Sequence, residues 1–427
     1  MTVCASSEDP KIDGEPSIGF GSLAMSAVCV ERSIDHELAG GKLTFASSAS
    51  DQVATMPKRT AKQAGTRRQC IGKCAAVVAC NLESDNPDVE STELITSHSA
   101  DIQLLEERVS RFIRFGDGSF EELILAVHSF QRIACAPYGA YCLKFAMPTR
   151  WYEIPAIPLA AFRQAPIRSF AAAQTVRSFR TSGTTGEGYG EHHFRTLELY
   201  RLAALTGWRD AGLPRGNFFC LMPSPDESPH SSLSCMAGWL APRERFFLGE
   251  WHRLSEAISL EREPLVLFGT ALAFLNFFEW LGEQQLRLPS RSAAVETGGY
   301  KGTNRSLPKS ELYSLFQSHL GIESDEIWNE YGMTELSSQF YARGLRSPHR
   351  GAAWVRARLI DPETGDECSD GETGVLRVFD LANVGSCCVL QTRDLAIRRD
   401  AHFELIGRDP AALPRGCSRS ADEILRQ

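Results

Sequence analysis

The stretch Thr181-Ser182-Gly183-Thr184-Thr185-Gly186 combines four hydroxyl side chains with two glycines. Glycine lets the backbone turn through positive φ and approach an anion closely, and neighbouring amides and hydroxyls can then converge on phosphate oxygens. The GxxxxGK[ST] spacing of a Walker loop is absent. On its own, the stretch fits either a phosphate-binding loop or an ordinary Ser/Thr/Gly turn at the surface.

Three other short motifs follow this loop along the chain. They are Asn329-Glu330-Tyr331-Gly332-Met333-Thr334-Glu335, Thr392-Arg393-Asp394-Leu395 and Gly407-Arg408. Their order resembles that of the adenylate-forming superfamily, which includes acyl-CoA ligases, peptide-synthetase adenylation domains and luciferases. The resemblance implies an α/β fold. We expect a large domain of sheets and helices plus a small β subdomain, with a short C-terminal tail in place of a full small domain.

Further stretches resemble one branch of that superfamily, the acyl-protein synthetases of bacterial fatty-acid reductase complexes (LuxE-type). The stretches are Ile154–Arg163, Ser231–Met236, Glu296–Gly302, Tyr331–Gln339, Asp380–Asn383 and Arg415–Ser418. The similarity extends over roughly residues 101–427.

This resemblance implies a two-step reaction that uses ATP and Mg²⁺. A carboxylic acid, of the fatty-acid class, attacks the α-phosphate of ATP and gives acyl-AMP and pyrophosphate. The acyl group then moves to a cysteine near the C-terminus, from which a partner receives it. The implied partner is an acyl-CoA or fatty-acid reductase, or an acyl carrier protein.

The resemblance also assigns the phosphate and metal contacts. The Thr181–Gly186 loop would hold the pyrophosphate end of ATP. Glu335 would bind Mg²⁺, a hard cation that proteins usually hold through one or two carboxylates plus phosphates and water. Lys301 is the available cation near the α-phosphate, and a solvated surface lysine is an equally good interpretation of it.

The remaining nucleotide contacts follow from the later motifs. Tyr331 would stack on the adenine, and Gly298 and Gly299 would let the base lie close to the backbone. Asp394 would accept hydrogen bonds from the ribose hydroxyls, and Arg408 would support the same sugar or a hinge. Gly332 and Thr334 complete the predicted nucleotide-binding set.

Cys417 is the predicted acyl acceptor. It directly follows Arg415-Gly416 in the cysteine context of the family, and Arg408, Arg415 and Arg419 surround it in the sequence. Nearby cations favour the thiolate, which attacks an acyl-adenylate readily. Histidines 192, 193 and 230 flank the motifs, and we interpret them as structural hydrogen-bonding residues rather than ligands.

The composition limits the other functions that the chain can have. Its 427 residues suggest two or three domains, and a net charge of −8 argues against general binding to nucleic acid or anionic membranes. The thirteen cysteines include no CxxC pair, and Glu8, Asp9 and Asp13 lie where a secretion signal would need a basic and then an apolar stretch. We therefore expect a cytoplasmic protein with reduced thiols and no membrane span.

The sequence pattern divides the chain into three parts. Residues 1–100 are rich in Ser, Ala, Thr and Cys and are predicted to form a low-complexity, disordered extension. Residues 101–405 form the predicted adenylate-forming domain, and residues 406–427 form a hinge and a mobile tail that carries Cys417. Two amphipathic helices are predicted to open the domain, and the most apolar window, 265–281, is predicted to be a buried helix.

Short apolar runs predict the strands. The runs 218–222, 265–268 and 293–295 precede Gly- or Pro-containing turns, which indicates strands of an α/β sheet. The Pro-rich stretch Glu153–Pro158 is a poor central strand because proline has no amide hydrogen to donate. Beyond about residue 351, the runs 354–359 and 374–379 flank an Asp-Pro-Glu-Thr-Gly turn and predict the small β subdomain.

Two features depart from the superfamily and leave alternatives open. Glu187 and Glu191 follow the phosphate loop where basic residues are usual, and negative charge there would weaken ATP binding. No lysine follows Arg408, whereas acyl-CoA ligases supply a catalytic lysine from a further domain. The alternatives are an aryl- or acyl-acid ligase that transfers to coenzyme A or a carrier-protein thiol, and a non-catalytic adenylate-binding homologue.

Overall fold

The structure is a computed structural model that describes residues 90–181, 189–298 and 307–408. Most of the predicted extension, the predicted phosphate residues Ser182–Gly186, and Gly299, Lys301 and Cys417 lie outside these ranges. The first described helix begins at Glu90. Helical structure therefore starts about ten residues before the boundary predicted at residue 101.

Nine α-helices and thirteen strands build the described residues. The helices are α1 Glu90–Phe115, α2 Phe120–Ala134, α3 Ala136–Cys142, α4 Ala161–Gln164, α5 Glu198–Asp210, α6 Ser232–Ala237, α7 Trp251–Leu260, α8 Ala271–Leu281 and α9 Lys309–Leu320. The strands are β1 Ile157–Pro158, β2 Arg177–Arg180, β3 Glu191–Phe194, β4 Asn217–Leu221, β5 Leu265–Thr270, β6 Ala293–Thr297, β7 Ile327–Tyr331, β8 Phe340–Arg343, β9 Arg350–Gly351, β10 Val355–Ile360, β11 Thr373–Asp380, β12 Val389–Arg399 and β13 His402–Arg408. Both predicted amphipathic helices are confirmed, as α1 and α2.

A six-stranded sheet positions the candidate site. Its strand order is β4-β5-β6-β7-β8-β9, with β4 to β7 parallel and the last two strands antiparallel. The three strands predicted from apolar runs are its β4, β5 and β6. Ligands of such sheets bind outside the carboxyl ends of the parallel strands. Those ends are where Gly298 follows β6 and Gly332 follows β7.

Helices and a hairpin cover the two faces of this sheet. In β5, Leu265 and Leu267 belong to the apolar core shared with α7, α8 and α9. Val266 and Phe268 belong to a separate core shared with the β2–β3 hairpin and α5. Alternate residues of a strand point to opposite faces, so each face of β5 is buried against a different layer.

The apolar window 265–281 was predicted as one buried helix, whereas its run 265–268 was also predicted as a strand. The structure contains the strand β5 followed by the helix α8, so the single helix is wrong and the strand is confirmed. The first six residues form β5, all of them buried, and α8 follows directly. The Thr270 side chain accepts a hydrogen bond from the Ala273 amide and caps the helix. A strand buried on both faces shows no alternation, so its apolar run merges with that of the buried helix.

The predicted β subdomain is confirmed as a second sheet. Strands β10, β11 and β12 are antiparallel neighbours, β13 pairs with β12, and β1 adds a short parallel edge. The Pro-rich stretch therefore contributes only an edge strand, as its missing amides predict. The predicted hinge begins at residue 406, which falls inside β13.

None of the described helices is both long and apolar enough to cross a bilayer.

Candidate active site

The segment that connects β7 to β8, residues 332–339, carries the predicted metal ligand Glu335, and we name it the Glu335 loop. It has no regular secondary structure, yet residues 334–339 are all buried. Buried backbone groups without helix or sheet partners require hydrogen bonds from elsewhere. The position of this loop therefore depends on the side chains that surround it.

Three side chains from other parts of the chain bind the Glu335 loop. His192 donates from Nδ1 to the Thr334 carbonyl over 2.8 Å, and Asn383 donates from Nδ2 to the Glu335 carbonyl over 2.8 Å. Asp380 accepts from the Ser337 amide over 2.9 Å and from the Ser338 hydroxyl over 2.7 Å. Burial lowers the pKa of His192 to about 4, so the ring is neutral at pH 7.

The ends of the predicted phosphate loop lie beside the Glu335 loop. The Thr334 hydroxyl donates to the carbonyl of Arg180 over 3.4 Å. The Thr181 amide donates to the Gly190 carbonyl over 2.8 Å, and the Gly190 amide donates to the Thr181 hydroxyl over 3.0 Å. The two ends of the 181–190 segment are thus joined at the edge of the site.

Tyr331 and Asp394, which were predicted to make separate nucleotide contacts, are bonded to each other. The Tyr331 hydroxyl donates to Asp394 Oδ2 over 2.8 Å. The Tyr331 ring lies edge-on to Phe403, with 5.5 Å between the ring centroids, and is only 7% exposed. Asp394 also pairs with Arg408 in the β12–β13 register. Three of the sequence motifs therefore meet here, although adenine stacking by Tyr331 stays a prediction.

Two glycines of the predicted site lie in the described residues, and each position requires glycine for a different structural reason. Gly298 directly follows β6 and has a φ of +74°, a backbone conformation that residues other than glycine rarely adopt. At Gly332, a Cβ atom would lie 2.4 Å from Oε1 of Glu330, so a larger residue would displace that carboxyl group.

Two buried carboxyl groups behind the loop were not assigned a role from the sequence. Burial raises the pKa of Glu330 to about 7, and the Thr297 hydroxyl donates to it. Glu296 accepts from Asn329 Nδ2 over 2.6 Å, and burial raises its pKa while the charge of Lys309 opposes that rise. The sequence feature that could have indicated these two sites is an acidic residue within an otherwise mostly apolar strand.

One acid that was expected to weaken phosphate binding has a cationic neighbour. Arg180 Nε donates to Glu191 Oε1 over 3.0 Å, across the β2–β3 hairpin. Both side chains are more than a third exposed, so the pair adds little stability. It nevertheless places a positive charge beside Glu191. Glu187 lies outside the described residues.

A comparison with protein families finds a similarity in the C-terminal part of the chain. Residues 246–426 match the sequence profile of the family described as acyl-protein synthetase, LuxE. The matched residues make up less than half of the chain. The match includes the Glu335 loop, Asp380, Asn383 and Asp394, as well as Cys417.

Two curated proteins are similar to parts of this chain, and both are named long-chain-fatty-acid–luciferin-component ligase. The one from Aliivibrio fischeri is 24% identical over 183 residues, which are 40% of this chain and 48% of the relative. The one from Vibrio harveyi is 27% identical over 145 residues, which are 31% of this chain and 38% of the relative. The chain thus spans less than half the length of each of these relatives.

Solved structures confirm the fold. The 2-hydroxyisobutyryl-CoA ligase structure in the postadenylation state, in complex with 2-HIB-AMP, superposes with a TM-score of 0.52 at 13% identity. The superposition covers 67% of each chain. The chain therefore shares the α/β fold of that ligase over the superposed residues.

The side chains near Glu335 suit a metal ion that is coordinated chiefly by the phosphates of a nucleotide and by water. Within the described ranges, no group of three or more His, Cys, Asp or Glu side chains could hold a metal ion. Mg²⁺ in nucleotide sites typically takes one or two protein carboxylates and fills its other positions with phosphate and water oxygens. The buried Glu335 carboxylate, in the loop that follows a parallel strand, fits that role and does not fit a zinc site.

Proposed function

We propose that this chain activates a carboxylic acid of the fatty-acid class with ATP and Mg²⁺ and then transfers the acyl group to its own Cys417. The observation that carries the proposal is the meeting of sequence motifs at the carboxyl ends of β6 and β7. Thr334 contacts Arg180 at the start of the phosphate loop, and Tyr331 contacts Asp394. The family match and the names of the ligase relatives support the same reaction class.

In the first step, a carboxylate oxygen of the acid attacks the α-phosphorus of ATP. A new O–P bond forms, the P–O bond to the pyrophosphate breaks, and pyrophosphate leaves with the electron pair. Such transfers depend on positioning and on stabilisation of developing charge. We assign the Thr181–Gly186 loop to the pyrophosphate end, Lys301 to the α-phosphate and Glu335 to Mg²⁺.

The nucleoside half of ATP would lie along the remaining motif residues. Asp394 would accept from the ribose hydroxyls, and Tyr331 would stack on the adenine beside Gly298 and Gly299. The 2.8 Å hydrogen bond between Tyr331 and Asp394 supports a shared role, because it orients the carboxylate against the tyrosine. Gly332, Thr334 and Arg408 complete the proposed nucleotide contacts.

In the second step, the Cys417 thiolate attacks the acyl carbon of the acyl-adenylate. A C–S bond forms, the C–O bond to AMP breaks, and AMP leaves. A partner would then accept the acyl group, and the luciferin-component ligase relatives suggest an acyl reductase component in that role.

The described cysteines support an acceptor elsewhere in the chain. Burial raises the thiol pKa at all seven of them. A thiol with a raised pKa carries little thiolate at neutral pH and is a poor nucleophile.

The test combines pyrophosphate exchange with intact-protein mass spectrometry. The wild type is incubated with ATP, Mg²⁺ and a panel of carboxylic acids, and we expect one acyl group on the Cys417 peptide. Cys417→Ser should abolish this adduct but leave ATP–pyrophosphate exchange within about twofold, because the thiol acts only after adenylation. Cys235→Ser, at a partly buried cysteine of α6, is the matched control.

Each alternative has a distinct outcome in the same assay. Turnover to coenzyme A or a carrier-protein thiol that survives Cys417→Ser would show a diffusible acceptor. Binding of ATP by the wild type without label exchange for any acid would show a non-catalytic adenylate-binding protein.

A further inference from the structure

Asp380 is the last residue of β11 and Asn383 lies in the turn that follows, and the proposed reaction uses neither residue. Both are almost completely buried, and both bind the Glu335 loop rather than each other's side chain. The turn is itself anchored from the opposite side. Gln131 of α2 donates to the carbonyls of Asn383 and Val384 over 2.7 and 3.0 Å.

The amide group of Asn383 has a defined orientation. Its Nδ2 donates to the Glu335 carbonyl over 2.8 Å and to the Cys387 carbonyl over 3.1 Å, which uses both amide hydrogens. Reversing the amide would place its oxygen against two carbonyl oxygens. Asn383 is therefore a donor to the main chain of the residue that would bind Mg²⁺.

The other end of the Asn383 amide faces a small polar cavity. Four buried atoms have no hydrogen-bond partner among the residues that the structure describes: Asn383 Oδ1, Ser337 Oγ, Ser386 Oγ and Arg195 Nε. All four residues line one cavity of about 20 Å³. That volume admits a water molecule. Water can donate to Asn383 Oδ1 and accept from Arg195 Nε, whereas a bare anion or cation would be repelled by one of them.

Asp380 binds the loop on the far side of Glu335. Its carboxylate accepts from the Ser337 amide, the Ser338 hydroxyl and the Ala382 amide, over 2.9, 2.7 and 2.9 Å. Burial raises the pKa of Asp380 to about 6 in spite of these bonds, which lower it. The carboxylate is thus shared between its own turn and the loop.

We propose that Asp380 and Asn383 are positioning residues that hold Glu335 where it can bind Mg²⁺ together with ATP. The inference rests on the proposed metal role of Glu335. Asn383 donates to the Glu335 carbonyl, and Asp380 accepts from the Ser337 amide and the Ser338 hydroxyl. The loss of these bonds would therefore displace the Glu335 carboxylate. Metal ligands must be held within about 0.5 Å of the productive geometry by such supporting bonds.

The decisive variant is Asn383→Asp, which has nearly the same shape. It replaces the amide donor with an oxygen facing the Glu335 carbonyl, so the hydrogen bond becomes a repulsion. Asn217→Asp is the matched control, because Asn217 donates to Glu261 Oε2 over 3.0 Å at an exposed site. Calorimetry measures ATP binding to the full chain with and without Mg²⁺, and thermal unfolding reports stability.

We expect Asn383→Asp to raise the Kd for ATP about tenfold in saturating Mg²⁺ but less than about twofold without Mg²⁺. Asn217→Asp should leave both values unchanged. A purely structural role would lower the unfolding temperature and reduce binding equally in both conditions. That result, or equal binding by the variant and the wild type, would overturn the proposal.

A second variant covers the case in which Asn383→Asp does not fold. Ser338→Ala removes one hydrogen bond to Asp380 without introducing a charge, and we expect a rise of about threefold in the Kd that is confined to the Mg²⁺ condition. An unchanged Kd would count against the proposal.

The same binding data separate this inference from the proposed function. A wild type that binds ATP with Mg²⁺ but exchanges no pyrophosphate would overturn the proposed function, and the variant comparison would still decide the positioning role. A wild type that binds no ATP would overturn both.

Discussion

The apolar core beneath α7, α8 and α9 and the Glu335 loop are both buried, but different interactions hold them. The core consists of aliphatic and aromatic side chains such as Phe274, Phe278 and Phe316, which pack on one face of the six-stranded sheet. The Glu335 loop is bound by His192, Asp380 and Asn383 through directed hydrogen bonds.

The difference shows where the protein tolerates change. Apolar packing is spread over many contacts, so one substitution weakens stability without altering a particular position in the site. A buried irregular loop depends on a few polar partners, and the loss of one leaves an unsatisfied group. Stability should therefore depend most on the core, and metal and nucleotide affinity should depend most on the loop partners.

The largest loss of stability is expected from the core. Phe316 is fully buried, with its ring centroid 4.7 Å from that of Phe274 and 5.0 Å from that of Phe278. Phe316→Ala should lower the free energy of unfolding by about 3–5 kcal/mol, measured by urea denaturation. ATP affinity of the folded variant at low temperature should remain that of the wild type, and a selective loss of Mg²⁺-dependent binding would contradict the comparison.

The buried acid behind the loop should make stability depend on pH. The pKa of Glu330 is raised from 4.5 to about 7, so the folded state holds a proton that the unfolded state releases. The contribution of protonated Glu330 to the free energy of unfolding is complete below pH 4.5 and is lost as the pH rises towards 7. The loss is about 3 kcal/mol, at about 1.36 kcal/mol per pKa unit.

Glu330→Gln removes this titration while keeping an oxygen that accepts from Thr297. The variant should equal the wild type in stability near pH 4.5 and exceed it increasingly as the pH rises to 8. The measurement is the free energy of unfolding at several pH values. Glu256→Gln, at an exposed position of α7, is the isosteric control. Parallel curves for Glu330→Gln and the wild type would show that Glu330 does not titrate in this range.

The smallest effect should come from His192, where a pair of variants separates hydrogen bonding from packing. Asn can still donate to the Thr334 carbonyl but fills less space, whereas Leu fills the space and cannot donate. His192→Leu should lower the free energy of unfolding by about 1–2 kcal/mol and weaken Mg²⁺-dependent ATP binding about threefold.

His192→Asn should also lose stability, but its ATP affinity should stay within about twofold of the wild type. If His192→Asn lost affinity and His192→Leu kept it, ring packing rather than the hydrogen bond would position the loop.

Short-range patterns predicted much of the fold. The strands β4, β5 and β6, the helices α1 and α2 and the later β subdomain follow from runs of apolar residues and the turns between them. The prediction of one helix over 265–281 competed with the correct strand prediction for 265–268. It was wrong because burial on both faces removes the period that distinguishes strand from helix.

The candidate site was only partly accessible from the sequence. The motifs placed Tyr331, Glu335 and Asp394 in one nucleotide site, but the bond between Tyr331 and Asp394 joins residues 63 positions apart. Asp380 and Asn383 belonged to a recognised motif without an assigned role. Their partners in the Glu335 loop lie more than forty residues away, and no local pattern predicts such a pairing.

By itself, the sequence determined several of the strands and helices and that the chain carries motifs resembling those of adenylate-forming enzymes. Those properties depend on residues that are close together in the sequence and on the chemistry of their side chains, and both can be read from the sequence. Only the tertiary structure decided how the Glu335 loop is held, which carboxyl groups are buried and that Glu191 lies beside Arg180. Those properties depend on distances between remote segments and on the loss of water around them, and both arise only when the sheets pack.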